Sequence, residues 1–282
     1  MRRRSCVKTV ALYALLTAVG AVVVLPLLWA LLTSLQPLDE ALRYPPSWRV
    51  SSPRWQNYVD AVGTLPFARF MLNSLFIATV SAVGAVLTGA MAGYAFACLP
   101  WRGKRVWFAV LLGSLMIPSQ VLLIPHFVLY ETLGWIGTYK PLIVPAWLGG
   151  GAFNVLLFHQ FFKRVPRELA EAAALDGAGA WQTFSRVMLP AARPVVITAV
   201  ILSFIFHWRD FFRPLIYLTD FNTFPISLGL RMYQTSTGSW VNLLMAASLL
   251  SLLPLGVAFL LCQRHLTHGL RSSGRVGYNP RR

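Results

Sequence analysis

The segment Val165-Pro-Arg-Glu-Leu-Ala-Glu-Ala-Ala-Ala-Leu-Asp-Gly-Ala-Gly-Ala-Trp-Gln-Thr-Phe-Ser-Arg-Val-Met-Leu-Pro190 lies between two long apolar runs and reads as a pair of short helices. Pro166 suits a first helical position, where a missing N–H is harmless, and Glu168 and Glu171 favour the positive end of that helix. Gly177 offers a C-terminal stop. A second helix follows, with Trp181, Phe184 and Met188 on one face at helical spacing, and Pro190 closes it. The elbow is hinged at Asp176-Gly177. On the first helix, Ala170, Ala172, Ala173 and Ala174 leave room for another protein's surface, and the carboxylates are placed to meet arginines across such a contact. The other reading keeps those charges at home. Arg164 with Glu168, and Arg167 with Glu171, are four residues apart, and such exposed pairs contribute only about 0.3–0.5 kcal/mol each.

Outward from this elbow the chain is overwhelmingly apolar. Of 282 residues, 56% are hydrophobic and 12% charged, with a mean hydropathy of +0.60; a soluble domain carries about 25% charged residues. The apolar residues come in runs long enough to cross a bilayer, roughly 18 residues or more. Six spans are expected, at Thr9–Leu35, Phe70–Leu99, Val106–Tyr130, Leu142–Phe162, Pro194–Leu218 and Val241–Cys262. The first is too long for a cleavable leader, whose apolar region is about 7–15 residues. Pro118 and Pro125 in the third span, and Gly149-Gly150-Gly151 in the fourth, point either to kinks beside a cavity or to simple packing irregularity. The fold class is therefore all-α and polytopic.

Lys and Arg set the orientation. The N-terminal tail, the loops 100–105 and 163–193, and the C-terminal tail carry four, three, five and five. The loops 36–69, 131–141 and 219–240 carry four, one and one. Seventeen against six places both termini in the cytoplasm. The net charge of +16 is thus a membrane-topology signal, and no basic stripe or nucleic-acid motif accompanies it. The first outer loop is turn-rich, with Pro45-Pro46, Trp48, Pro53 and Trp55.

The order of motifs is recognisable. Glu171-Ala-Ala, then Gly177, then Val187-Met-Leu-Pro190 resembles the EAA loop of ABC importer permeases, with valine where isoleucine is usual. Similar landmarks run through the chain: Trp55–Tyr58, Asn73–Leu75, Ala92–Phe96, Arg102–Lys104, Met116–Pro118, Trp208 with Asp210-Phe211, Gln263-Arg264 and Gly269-Leu270. They resemble the sugar-uptake branch that includes maltose and glycerol-phosphate permeases. The resemblance implies a type I permease fold in one transmembrane domain over 1–282, located in the bacterial inner membrane. It also implies a second permease subunit (usually a different gene product), two ATPase subunits and an extracytoplasmic solute-binding protein. ATP and Mg would sit on the ATPase partner, with no cofactor on this chain. Glu171 would anchor the elbow in the ATPase groove, Ala172 and Ala173 would give close contact, Asp176-Gly177 would set the bend, and Leu189 with Pro190 would join the loop to span five.

Other candidates are weighed on their own residues. No GxxxxGK[ST] phosphate loop occurs. Asn154, Trp208, Arg209 and Asp210 are polar or amphipathic residues in spans four and five, candidates for the solute path; helix–helix hydrogen bonding is the alternative for Asn154, and pairing or snorkelling for the charges. The family commonly has asparagine at the position of Arg209. His265 and His268 lack the companions of a metal site, and Cys6, Cys98 and Cys262 have neither metal nor disulfide spacing. Asp210 is the only acid within an expected span, which with the absence of repeats weighs against an ion-coupled carrier. No nucleophile set or paired-carboxylate site marks a membrane enzyme.

Overall fold

The computed structural model describes residues 2–235 and 238–273, with side chains at 9, 12–234 and 240–260. His265, His268, Cys6 and Cys262 fall outside the described side chains. The chain forms two compact units, 1–68 with 229–253, and 69–228 with 254–282.

The first unit opens with α1 (Arg2–Leu35), whose residues 12–28 are exposed along their whole length. The short α2 (Leu38–Ala41) and then α3 (Gln56–Thr64) follow. The last carbonyls of a helix have no intrahelical donor. Here Asn57 supplies one: its Nδ2 donates to the Ser34 and Gln36 carbonyls at 2.8 and 2.9 Å. Asn242 in turn donates to Asn57 Oδ1 at 3.1 Å, and Ser34 hydrogen-bonds the Tyr58 hydroxyl at 2.8 Å. Asn57 thus ties the end of α1 and the start of the last helix to α3. In the same unit the buried Tyr233 hydroxyl donates to the Ala61 carbonyl. Burial pushes its phenol up to about 12, so it keeps its donor proton at neutral pH.

The second unit is built on α4 (Phe67–Cys98), about 48 Å of helix at 1.5 Å per residue. A short turn leads to α5 (Lys104–Ser114), and α6 (Leu123–Thr132) comes after an irregular stretch. The expected third span is therefore broken, because Pro118 has no N–H and biases the residue before it away from helix. The fourth is α7 (Lys140–Trp147) and α8 (Gly151–Phe162), interrupted where Gly149, Gly150 and Gly151 all take positive φ. This break borders an open cavity, the first of the two readings the glycines allowed.

The elbow comprises α9 (Arg167–Leu175), α10 (Ala180–Thr183), a π-turn at Phe184–Met188 and α11 (Leu189–Ala191). Then come α12 (Arg193–Trp208), α13 (Phe212–Tyr217), α14 (Ile226–Arg231), a two-residue antiparallel ladder β1 (Gln234–Thr235) and β2 (Gly238–Ser239), and α15 (Val241–Ser273). Among the described residues, four stretches are helical, long and apolar enough to cross a membrane: Leu12–Leu35, Phe67–Cys98, Lys140–Phe162 and Val241–Leu260. Span five starts at an 80° bend between Ala180–Ala191 and Arg193–Trp208, and breaks again after Trp208. Pro190 stands in the first turn of α11, where its missing N–H is tolerated, and the helical stretch ends one residue beyond it at Ala191, before the 80° bend.

Helix α4 meets α7 and α8 almost backbone to backbone. A Cβ on Gly93 would lie 2.6 Å from Phe158 Cβ, one on Gly89 2.8 Å from Asn154 Cβ, and one on Gly150 2.3 Å from the Gly89 nitrogen. In a membrane, small residues at such crossings let van der Waals packing do what water-driven burial cannot. Gly150→Ala meets both this contact and a φ of 70°, so it should destabilise the protein by at least about 1–3 kcal/mol through overpacking. Gly113→Ala, with open space around its Cβ, should be neutral. Thermal unfolding of the detergent-solubilised protein checks this, and equal midpoints for the two variants would contradict it.

Candidate functional site: the elbow at Arg167–Ala191

Pro166 sits one residue earlier than the sequence pattern expects, as the N-cap of α9 in an extended conformation, with Arg167 as the first helical residue. The helix ends in a Schellman arrangement. The Ala178 N–H donates to the Ala173 carbonyl at 2.9 Å and the Gly177 N–H to that of Ala174 at 3.0 Å, with Gly177 at a φ of 78°. The next helix is started by Gln182, whose Oε1 accepts from the Gly179 N–H at 3.0 Å.

The inner side of the elbow is apolar and fixed. Phe184 and Met188 are buried in one cluster with Tyr94 of α4, Phe158 and Phe162 of α8, and Ala192 and Ala199 at and beyond the bend. The Phe184 ring is 5.3 Å from Tyr94. Trp181, expected on the same face, lies tilted against Phe184 with ring centroids 5.6 Å apart but stays 63% exposed. Leu189 packs against the cluster, and Pro190 is exposed. The outer side carries Glu168, Glu171, Ala172, Asp176 and Gly177, all exposed, together with Leu175 at 90% exposure. Ala173 turns inward and is buried, so of the two alanines it is Ala172 that an incoming surface can touch. Among the described residues the only ion pair is Arg213–Asp210. The four-residue pairs of Arg164 with Glu168 and Arg167 with Glu171 do not form, and both carboxylates stand open to the solvent.

The other singled-out residues lie elsewhere and do not converge with the elbow. Asn154 is buried and bridges α8 to α12, its Nδ2 donating to the Gly150 carbonyl at 2.9 Å and to Ser203 Oγ at 3.0 Å. Trp208 is buried and stacks on Phe204 with centroids 5.5 Å apart. Arg209 is exposed. Asp210 is held by a residue that pattern reading passed over: Arg213 Nε donates to Asp210 Oδ2 at 2.6 Å, its Nη2 is 3.3 Å from His207 Nδ1, and its guanidinium lies 5.1 Å from the Phe206 ring centroid. Ser227 Oγ donates to the Asp210 carbonyl at 2.7 Å. These contacts strap the break between α12 and α13. The three-residue spacing of Asp210 and Arg213 was the available signal. No group of three or more His, Cys, Asp or Glu side chains that could hold a metal ion occurs among the described residues.

A bundle of long, partly broken apolar helices with a fixed amphipathic elbow defines a helical membrane permease. Residues 85–272 match the family described as the binding-protein-dependent transport system inner membrane component, and the chain belongs to that family. It is similar to the maltose/maltodextrin transport system permease protein MalG of Yersinia pestis, 31% identical over 91% of this chain and 90% of the relative. It is likewise similar to the diacetylchitobiose uptake system permease protein NgcG of Streptomyces coelicolor, at 29% over 90% and 84%. Among solved structures, a bacterial ABC transporter involved in the import of the acidic polysaccharide alginate shares the fold, with a TM-score of 0.79 at 18% identity over 93% of this chain and 97% of that one. The chain is thus an inner-membrane transport subunit of a binding-protein-dependent system, with ATP hydrolysis on a separate subunit.

Asp210→Ala should destabilise the protein by about 1.5–3 kcal/mol, the usual cost of deleting one partner of a charge-assisted hydrogen bond. The exchange of Asp210→Arg with Arg213→Asp should recover part of that loss, whereas Arg209→Asn should leave stability unchanged. Unfolding midpoints of the three variants check the strap, and a loss for Arg209→Asn equal to that for Asp210→Ala would contradict it.

Proposed function

We propose that this chain is the permease for a sugar or related polyol, and that its elbow is the grip through which a cytoplasmic ATPase subunit drives it. The names of the relatives support the solute class: the solutes they name include maltodextrin, diacetylchitobiose and arabinooligosaccharides. A further structural neighbour is an alginate transporter in complex with a pentasaccharide-bound periplasmic protein, with a TM-score of 0.64 at 16% identity. In this reading a second permease subunit completes the path, two ATPase subunits lie below it, and an outer solute-binding protein delivers the sugar. The chain crosses the membrane six times, with both termini and the elbow in the cytoplasm, as its basic loops direct.

The observation that carries the reading is the two-sidedness of the elbow. Glu171 stands exposed and unpaired on α9, while Phe184 and Met188 anchor the same elbow among the membrane helices. A carboxylate gripped on one side can therefore move spans on the other. Glu171 serves as the charged anchor, Ala172 admits the partner's surface, and Asp176 and Gly177 set the bend. Leu189 and Pro190 carry the motion to the 80° turn into α12. Closure of the ATPase dimer on ATP then switches the path from inward-facing to outward-facing, and no group on this chain touches the nucleotide.

Gly177→Val places a β-branched side chain at positive φ, a strain of about 1–3 kcal/mol, and should misdirect α9. In proteoliposomes holding the whole transporter, uptake should fall by about tenfold or more, the effect of about 1.4 kcal/mol of lost coupling, while basal ATPase activity persists. Unchanged uptake by a normally assembled complex would overturn the assignment.

A further inference from the structure

The turn that joins α4 to α5 reads Pro100-Trp-Arg-Gly-Lys-Arg-Val-Trp107 and holds three cations, Arg102, Lys104 and Arg105. No carboxylate answers them, since the ion pair of Arg213 with Asp210 is the only one among the described residues. Two further cations come in from the elbow side. Lys104 shares the surroundings of Cys98 with Arg167, and those of His159 with Lys163. The last carbonyls of a helix lack intrahelical donors, and Lys104 supplies one, its Nζ donating to the Leu99 and Ala97 carbonyls at 3.0 and 3.4 Å. Its ammonium is thereby fixed in place with an N–H to spare. Arg102 and Arg105 are exposed, and their guanidinium groups make no hydrogen bond among the described residues.

A cavity of about 410 Å³ lies in this turn, walled by Pro100, Trp101, Gly103, Lys104, Arg105 and Val106. Apolar side chains stand exposed beside its charges: Trp101 at 38%, Val106 at 67% and Trp107 at 60%. The Trp101 ring is held, its indole N–H donating to the Ala95 carbonyl at 3.2 Å with Phe96 5.3 Å away. Gly103 turns the chain at a φ of 80°, and a Cβ there would lie 3.5 Å from Trp107 Cδ1, so the second indole lies beside the turn. Trp101 and Trp107 also line the open groove that runs past Val110 and Leu111 of α5 and Leu148 before α8. Cations, then indoles, then an apolar groove follow one another from the end of a membrane helix inward. Indoles favour the headgroup level of a bilayer, and basic residues beside them attract anionic lipid. A soluble anion would answer the charges and leave Trp107 and Val106 in water, whereas acyl chains alone would leave the cations unanswered. An anionic phospholipid meets both.

We propose that the turn 100–107 is a headgroup site for an anionic glycerophospholipid. The phosphate diester sits in the cavity, accepting from the Arg105 guanidinium and from the free N–H of Lys104, with Arg102 at the rim. The glycerol backbone lies between the two indoles, and an acyl chain leaves past Trp101 into the groove. A zwitterionic lipid brings its own cation to the same place and is disfavoured by the five basic residues around it. The bound lipid ties the ends of α4 and α5 together where the protein itself offers no carboxylate to do so. The inference goes beyond the transport reading and requires only that the chain sits in a membrane.

The test uses the complete transporter in phosphatidylcholine nanodiscs that carry a trace of photoactivatable lipid, with a diazirine beside the acyl ester and either a phosphatidylglycerol or a phosphatidylcholine headgroup. Peptides covering residues 96–114 should take up at least fivefold more of the phosphatidylglycerol label. Arg102→Gln with Arg105→Gln should bring that ratio below twofold, and Arg102→Lys with Arg105→Lys should restore most of it. The preference should also collapse in about 1 M salt, where charges act over only about 3 Å. A wild-type ratio below twofold, or a ratio unchanged in the glutamine variant, would overturn the proposal. Displacement of the label by excess soluble glycerol phosphate would show a site for a free phosphate and overturn the lipid assignment. Crosslinking of Arg105→Cys to the ATPase or to the second permease, with no lipid label on 96–114, would show the turn covered by protein and overturn it as well. Should the glutamine variant fail to assemble, the wild-type ratio and its loss in salt decide the matter.

Discussion

The proposed coupling depends on one constraint, the packing of Phe184 and Met188 into the cluster formed by Tyr94, Phe158, Phe162 and Ala192. An elbow gripped by a partner outside the bilayer, as proposed, moves the helices only if it does not slip relative to them. Burying a side chain of this size contributes about 1.5–3 kcal/mol, so these two residues hold the elbow with several times thermal energy. The π-turn that carries them places Phe184 and Met188 on the core side while leaving α9 to project. Because α4 and α8 share the same cluster and α12 begins at its edge, the proposed grip on α9 would act on all three helices.

The same economy governs the interruptions in the spans. Glycine lets α4 lie against α7 and α8 without intervening side chains, and the tight contacts of Gly89, Gly93 and Gly150 make that contact a rigid seam. Where the glycine run continues past the seam to Gly151, the helix opens onto the cavity instead. Span five breaks for a different reason: Arg213 and Asp210 satisfy each other beside His207, which makes an interrupted helix with charged side chains tolerable inside an apolar bundle.

Much of this is legible in the sequence. Apolar run length located the long helices, because a bilayer imposes a minimum length that soluble folds do not. The elbow was legible because Gly177 and the carboxylates of α9 have strictly local meanings, and the Schellman stop stands where the glycine placed it. Other features depend on neighbours distant in sequence. The inward turn of Ala173 beside an outward Ala172 follows from how α9 leans on the π-turn. The π-turn itself has no compositional mark. Asn57 gave no sign in sequence of bridging Ser34 to Asn242, whereas the three-residue spacing of Asp210 and Arg213 left their pairing open to view. Asn154, a polar residue in an apolar run, proved to hold two helices together, the alternative its isolation had allowed.

The central claim is that α9 is held from the cytoplasm by a nucleotide-driven partner. It is tested most directly by placing a single cysteine at Glu171→Cys in the assembled transporter and following short-range crosslinking to the ATPase subunit through the nucleotide cycle. The account predicts a crosslink whose yield changes between the nucleotide-free and ATP-bound states, with no labelling by impermeant thiol reagents added to the outer face. Labelling from the outer face, or no crosslink to the ATPase in a complex that transports, would contradict it.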